Sequence, residues 1–215
     1  MLKLLFHLFR ILLILVLPFI ALIRGSVLLH EYHDFAPYAS LMGGIIFTSI
    51  ILLLYLTISF GKISGKVGGP KALKNRWIFV LILILGFAIH GLFFLSSDNT
   101  KQAEVKKEFQ SLHPILRVGV SSLIWFDNGL IITDASRKPE DYKKMGLKTA
   151  RQSLHYKQED GFAYAIDLRT NNRSELRNQL IKTYFSLMGF NTLRHHGTED
   201  HLHISLSCKY KPGGI

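Results

Sequence analysis

Hydrophobic and polar positions follow two different regimes along the 215-residue chain. In the first 96 residues the apolar positions run on without alternation. LLFHLFRILLILVLPFIALI (4–23), YASLMGGIIFTSIILLLYLTISF (38–60) and WIFVLILILGFAIHGLFFLS (77–96) stand out. Each reaches the roughly 20 residues an α-helix needs to cross a hydrocarbon core of about 30 Å. The second and third hold no Lys, Arg, Asp or Glu, whereas the first holds His7, Arg10 and Pro18. The residues before Gly25, ALIR, do not make a small-x-small cleavage site, so the first run reads as a retained span. Its Arg10 is expected to snorkel toward the near interface.

From Asp98 the apolar positions become periodic. EVKKEFQSLHPILRVGVSSLIWF reads as helix, with an interruption at Pro114. LIITDAS (130–136) is a β-branched run and reads as a strand after an Asn-Gly turn at 128–129. PEDYKKMG opens on Pro and closes on Gly, as a short helix does. AYAIDLR (163–169) alternates as a strand. RSELRNQLIKTYFSLMGF predicts an amphipathic helix with Ser174 as N-cap and Gly189 at its end. FNTLRHH and HLHISLS predict two strands joined by a turn at HGTED. The expected architecture is α+β: three transmembrane helices over 1–96, then a small antiparallel-sheet domain over 97–215.

Charge adds an orientation. The segment 61–76 carries five Lys/Arg and no acid, while 24–37 carries Arg24 with Glu31 and Asp34. Short loops rich in Lys/Arg stay in the cytoplasm. The 24–37 connection and everything after the third span therefore belong on the outer face, in a bacterium the periplasmic side of the inner membrane. The net charge of +11 is shared between the two halves, and no dense basic run is interleaved with aromatics, so nucleic acid is not an expected partner. The single cysteine, Cys208, excludes a disulfide framework and a thiolate metal cluster.

The candidate chemistry lies in the polar half. Alternation along HLHISLS puts His201, His203 and Ser205 on one face and Leu202, Ile204 and Leu206 on the other. The apolar face has a core to cover, so the histidine face points away from it. Two imidazoles at i, i+2 suit a metal site. His155 and Asp167, with one histidine of HLH, would supply two neutral nitrogens and a carboxylate, the donor set of a catalytic zinc with an open position. Asp167 also has a plain reading, as a strand-end acid paired with Arg169 or another cation. Arg137, at the end of a strand, is placed to clamp a carboxylate or carbonyl bidentately, or to be a surface cation.

Taken together, IITDASRKPEDYKKMG, SLH (153–155) with AYAID (163–167), and EDHLHISL resemble a zinc metallopeptidase superfamily. Its members include D-alanyl-D-alanine carboxypeptidases, L-alanyl-D-glutamate endopeptidases, murein endopeptidases and the hedgehog signalling domain. The resemblance covers about residues 104–211. It implies zinc held by His155, Asp167 and His203, with Arg137 and Ser153 binding substrate. It implies a proton carrier at Asp200, three residues before the last ligand, or at His201, the first histidine of His-x-His. His195 and His196 have no assigned part beyond support near the water. His155 and Asp167 stand twelve residues apart, farther than in the family pattern, and YKQED reads as a five-residue insertion. Lengthening a loop costs little entropy and need not move either ligand.

The implied activity is hydrolysis of peptidoglycan stem or cross-link peptides by a membrane-anchored enzyme. A domain of the same fold that binds wall peptides or a protein without cutting is the alternative. Arg10 and His90 are the ionisable groups of note within the spans, too few to suggest a transporter.

Overall fold

The computed structural model describes residues 2–138, 140, 152–197 and 200–214, with the side chains at 2, 6–15 and 62 left aside. Three long helices come first: α1 (Leu2–His33), α2 (Pro37–Ser64) and α3 (Pro70–Phe93). Proline occupies the first turn of α2 and α3, where its missing N–H costs nothing. Two stretches are long and apolar enough to cross a membrane, Pro37–Gly61 and Pro70–Phe93. Large apolar side chains point outward along both, as at Ile58, Ile82 and Phe93, with Lys71, Lys74 and Asn75 exposed at the start of α3. The other expected span, 4–23, lies in α1, much of it at positions whose side chains are outside the description, Arg10 among them.

The connection expected over 24–37 is different. α1 continues unbroken to His33. At 1.5 Å per residue its 32 residues extend about 48 Å, well beyond a hydrocarbon core of about 30 Å. The last turns are buried against the rest of the protein at Val27 and His30. The buried positions of SVLLHEYH are Ser26, Val27 and His30, so packing rather than an apolar run holds it helical.

The second half begins with α4 (Ala103–Glu108) and α5 (Pro114–Phe126), so the helix expected over this region does break before Pro114. Next comes β1 (Ile132–Asp134). The short helix expected over 139–146 falls outside the described residues. β2 (Ala165–Arg169), α6 (Glu175–Met188), β3 (Asn191–His195) and β4 (His201–Ser205) complete the chain. α6 is capped as its sequence predicts. Ser174 Oγ accepts from Arg177 N at 3.3 Å, and Gly189 closes the helix in the left-handed conformation at φ 97°.

The four strands form one antiparallel sheet in the order β1-β2-β4-β3. Its register sets Asp134 opposite Asp167, Asp167 opposite His203, and His203 opposite Leu193. One row across the sheet therefore carries two carboxylates and an imidazole. Two residues along, the next row on the same face carries Arg169, His201 and His195.

The helices and the sheet share a single core. Leu22, Val27, Ile84 and Leu92 belong to the same buried cluster as Ile166, Phe185, Leu202 and Ile204. Buried Arg117 of α5 ties the halves together. It donates to Leu92 O at 3.0 Å, to Gln110 Oε1 at 2.8 Å and to Tyr38 Oη at 3.1 Å. Leu92 O is one of the carbonyls that α3 leaves unpaired at its end, so a guanidinium there satisfies both the hydrogen bond and the helix dipole.

Candidate metal centre

His155, Asp167 and His203 converge. They are buried, and one ligand atom from each lies within 4.8 Å of the others. His155 Nε2 is 3.3 Å from His203 Nδ1 and 3.4 Å from Asp167 Oδ1. His203 Nδ1 is 2.8 Å from Asp167 Oδ1. A tetrahedral zinc with bonds of about 2.0–2.1 Å sets its ligand atoms ~3.3 Å apart. Two of the three edges have that length and the third is shorter.

Each donor is placed by local structure. Asp167 and His203 face each other because β2 and β4 pair in that register. His155 comes from the segment before β2, held by backbone bonds on both sides. Tyr164 N–H donates to Leu154 O at 2.8 Å, and Arg137 N–H donates to His155 O at 2.9 Å. The stretch 156–162 does not disturb this. Gly161 N–H donates to Gln158 O and Gln158 N–H to Phe162 O, both at 2.9 Å, with Gly161 at φ 83°. Asp160 accepts from Phe162 N and the Tyr164 hydroxyl. The stretch closes on itself as a turn, and the three side chains meet behind it.

The surroundings fix tautomer and charge. His155 Nδ1 lies 3.0 Å from Ala135 O, which places the proton on Nδ1 and the lone pair of Nε2 toward the cluster. His203 Nε2 is buried without a hydrogen-bond partner among the described residues, so that ring acts through Nδ1. With a proton on Nδ1, His203 donates to Asp167 Oδ1 at 2.8 Å. Without it, two nitrogen lone pairs face each other at 3.3 Å, an arrangement that calls for a cation between them. Burial works against charging His155, yet neighbouring Asp167 outweighs it and raises the imidazole above its ordinary value. Burial would likewise push Asp167 up, but His155 and His203 overcome it and hold the carboxyl well below the usual range. The pocket therefore favours a negative Asp167 with positive charge beside it, the electrostatics a bound divalent cation also satisfies.

The other expected residues fall into place as follows. Arg137 donates through Nε to Asp134 Oδ2 at 2.7 Å and through Nη2 to Asp167 Oδ2 at 2.9 Å. It is the cation that pairs with Asp167, and it orients that ligand from behind. Ser153 is buried, and its Oγ accepts from His155 N at 3.3 Å, bracing the turn that carries the ligand. His201 Nε2 lies 3.9 Å from Asp167 Oδ2, with its side chain 27% exposed. It stands beside the Asp167 oxygen that Arg137 also holds.

Asp200 goes elsewhere. Its oxygens accept from Arg194 Nε and Nη2 at 2.6 and 2.7 Å and from Thr170 Oγ1 at 2.7 Å. Arg194 pairs with Leu202 in the register, out of phase with the histidine row, and it holds the Asp200 carboxyl far below its usual range. The histidine face is also not turned to solvent. His203 and Ser205 are buried, because Ala135–Arg137 and Ser153–His155 cover it.

Sequence reasoning missed Asp134, which shares Arg137 with Asp167 and approaches His155 Nδ1 at 3.6 Å. His195, expected to do no more than give support near the water, stacks on His201 with ring centroids 4.7 Å apart, as the hairpin register pairs them.

The fold and site define a small antiparallel sheet carrying a buried His-Asp-His group that could hold a metal ion, attached to helices of which two could cross a membrane. Compared with known protein families, curated proteins and solved structures, the chain matches none.

Proposed function

We propose that this protein is a membrane-anchored zinc peptidase that cleaves peptidoglycan stem or cross-link peptides, with its sheet domain on the outer face of a bacterial inner membrane. The observation that carries the reading is the convergence of His155 Nε2, Asp167 Oδ1 and His203 Nδ1 at ligand-edge distances. The resemblance of SLH, AYAID and EDHLHISL to the zinc peptidase superfamily supplies the substrate class. Loop charges, which owe nothing to that motif, supply the side of the membrane.

Zinc, when bound, supplies a Lewis acid that polarises a carbonyl and lowers the pKa of a water. His155, Asp167 and His203 would hold it. Arg137 and Asp134 keep Asp167 oriented. His201 is the group placed to move a proton, taking it at Nε2 and returning it to the leaving amine. A positioned base of this kind contributes roughly a factor of 10²–10⁴. Asp200, held by Arg194 and Thr170, has too low a proton affinity to compete, and its role becomes bracing the β3–β4 hairpin.

The test is release of new amines from purified wall peptides by the full chain in detergent. Activity that depends on zinc and drops at least 10²-fold in His201→Ala, with Asp200→Asn close to the parent, is expected. Activity that survives His155→Ala would overturn the reading.

A second reading, a metal-free module that binds wall peptides or a protein, is favoured by the 2.8 Å His203–Asp167 contact. That distance is a good hydrogen bond and a short ligand edge.

A further inference from the structure

Between α1, α2 and α3 lies a cavity of about 400 Å³, within the size class of small-molecule sites. Its walls are Phe19, Leu52, Leu83 and Phe87, with His90 and Trp125 at one end. A smaller cavity of about 180 Å³ adjoins it, sharing His90 and Trp125 and continuing past Ser96, Asn99 and Ser121. Both compartments are mainly apolar; the second lies at the end of α3, where the chain leaves the helix, and its Asn99 and Ser121 side chains already donate to backbone carbonyls. Leu83, Phe87 and His90 follow helical spacing on one stripe of α3, spanning about 10 Å along its axis.

Three observations point to an amphiphile. The larger space is a half-open groove with almost wholly apolar walls, which an apolar chain can pack against. His90 Nδ1, at the junction, is buried without a hydrogen-bond partner among the described residues. Gly86 lines the larger cavity, and a Cβ added there would meet no atom within 4 Å. The space thus exists where a side chain has been left out.

We propose that the paired cavities bind one membrane lipid, its hydrocarbon chain in the larger compartment and a hydrogen-bonding group of its head or ester region at His90 Nδ1. The inference rests on the membrane insertion proposed above and is independent of the metal chemistry.

The chain has two tryptophans, Trp77 and Trp125, so Trp77→Phe leaves Trp125 as the sole fluorophore. The full chain, delipidated in dodecyl maltoside, is titrated with phosphatidylglycerol brominated on its acyl chains. Trp125 emission should fall steeply and saturate once each chain holds one lipid. In Trp77→Phe/Gly86→Phe the saturable component should be lost, leaving the shallow, unsaturated quenching of micellar lipid. Trp77, read in Trp125→Phe, gives that shallow response as the internal report of insertion. Shallow quenching of Trp125 equal to that of Trp77 would overturn the site while leaving insertion intact. No quenching of either tryptophan would overturn insertion, and the site with it. Should Gly86→Phe not fold, native mass spectrometry of the unaltered chain decides. One retained lipid per chain supports the proposal, and a bare chain refutes it.

Discussion

Arg137 shows how a side chain's partners decide its role. A guanidinium shared between Asp134 and Asp167 at 2.7 and 2.9 Å is engaged on the metal-ligand side. Its removal should therefore act on the metal first. Arg137→Gln is expected to weaken zinc affinity about 10–100-fold, the usual cost of losing such a support, measured by competition with a chelating dye. A change confined to KM would return Arg137 to the substrate. Asp200 makes the complementary case. Its folded pKa is depressed by Arg194 and Thr170, so its contribution to stability is complete above the unfolded value of about 3.9 and is lost as pH falls from there through the folded value. Asp200→Asn should remove that acid-dependent component, seen as a flatter decline of Tm below about pH 4, while leaving metal content unchanged. Asp167 and His203 were legible as polar positions in strand-like runs, whereas His155 lies in a turn and was legible only through the SLH motif. Their supports were not. The partner of Arg137 depends on the β1–β2 register, which shifts between Ile132 and Asp134, and no local pattern encodes a bulge of that kind.

The same contrast holds for whole elements. α6 was readable end to end because its cap, its stop and its buried stripe of Asn178, Ile181, Phe185 and Met188 agree. Ser174→Ala is expected to cost about 1 kcal/mol, measured by chemical denaturation in detergent. α1 was not readable to its end. Its last turns are held by contacts distant in sequence. Ser207 N–H donates to Glu31 Oε1 at 3.3 Å, and the His30 ring lies 4.6 Å from that of His113. α1 and α2 approach closely at Gly44, where an added Cβ would sit 2.1 Å from Ser26 Oγ and 2.5 Å from Leu22 O. The second contact is with backbone, which cannot swing away. Gly44→Leu should force the helices apart and lower Tm by several degrees, read by scanning fluorimetry, because overpacking typically costs about 1–3 kcal/mol. An unchanged Tm would mean that the two helices do not pack through this face.

At the scale of the molecule, the division at residue 96 that the sequence suggests is a change of composition rather than of core. One buried cluster runs from Leu22 to Leu206, and Arg117 joins α2, α3 and α5. A fragment beginning near Asp98 would expose the faces that Val27, His30 and Leu92 cover. It is expected to aggregate or to melt well below the full chain, whereas an independent domain would match it. The central claim therefore has to be tested on the intact protein. The most direct measurement is zinc per chain, by inductively coupled plasma mass spectrometry on the full chain purified in detergent, beside His155→Ala, Asp167→Ala and His203→Ala. The account predicts one zinc per parent chain and its loss in all three variants while each remains folded. A parent chain that binds no zinc after reconstitution, or a variant pair His155→Ala/Asp167→Ala that still binds it with unchanged affinity, would contradict the account.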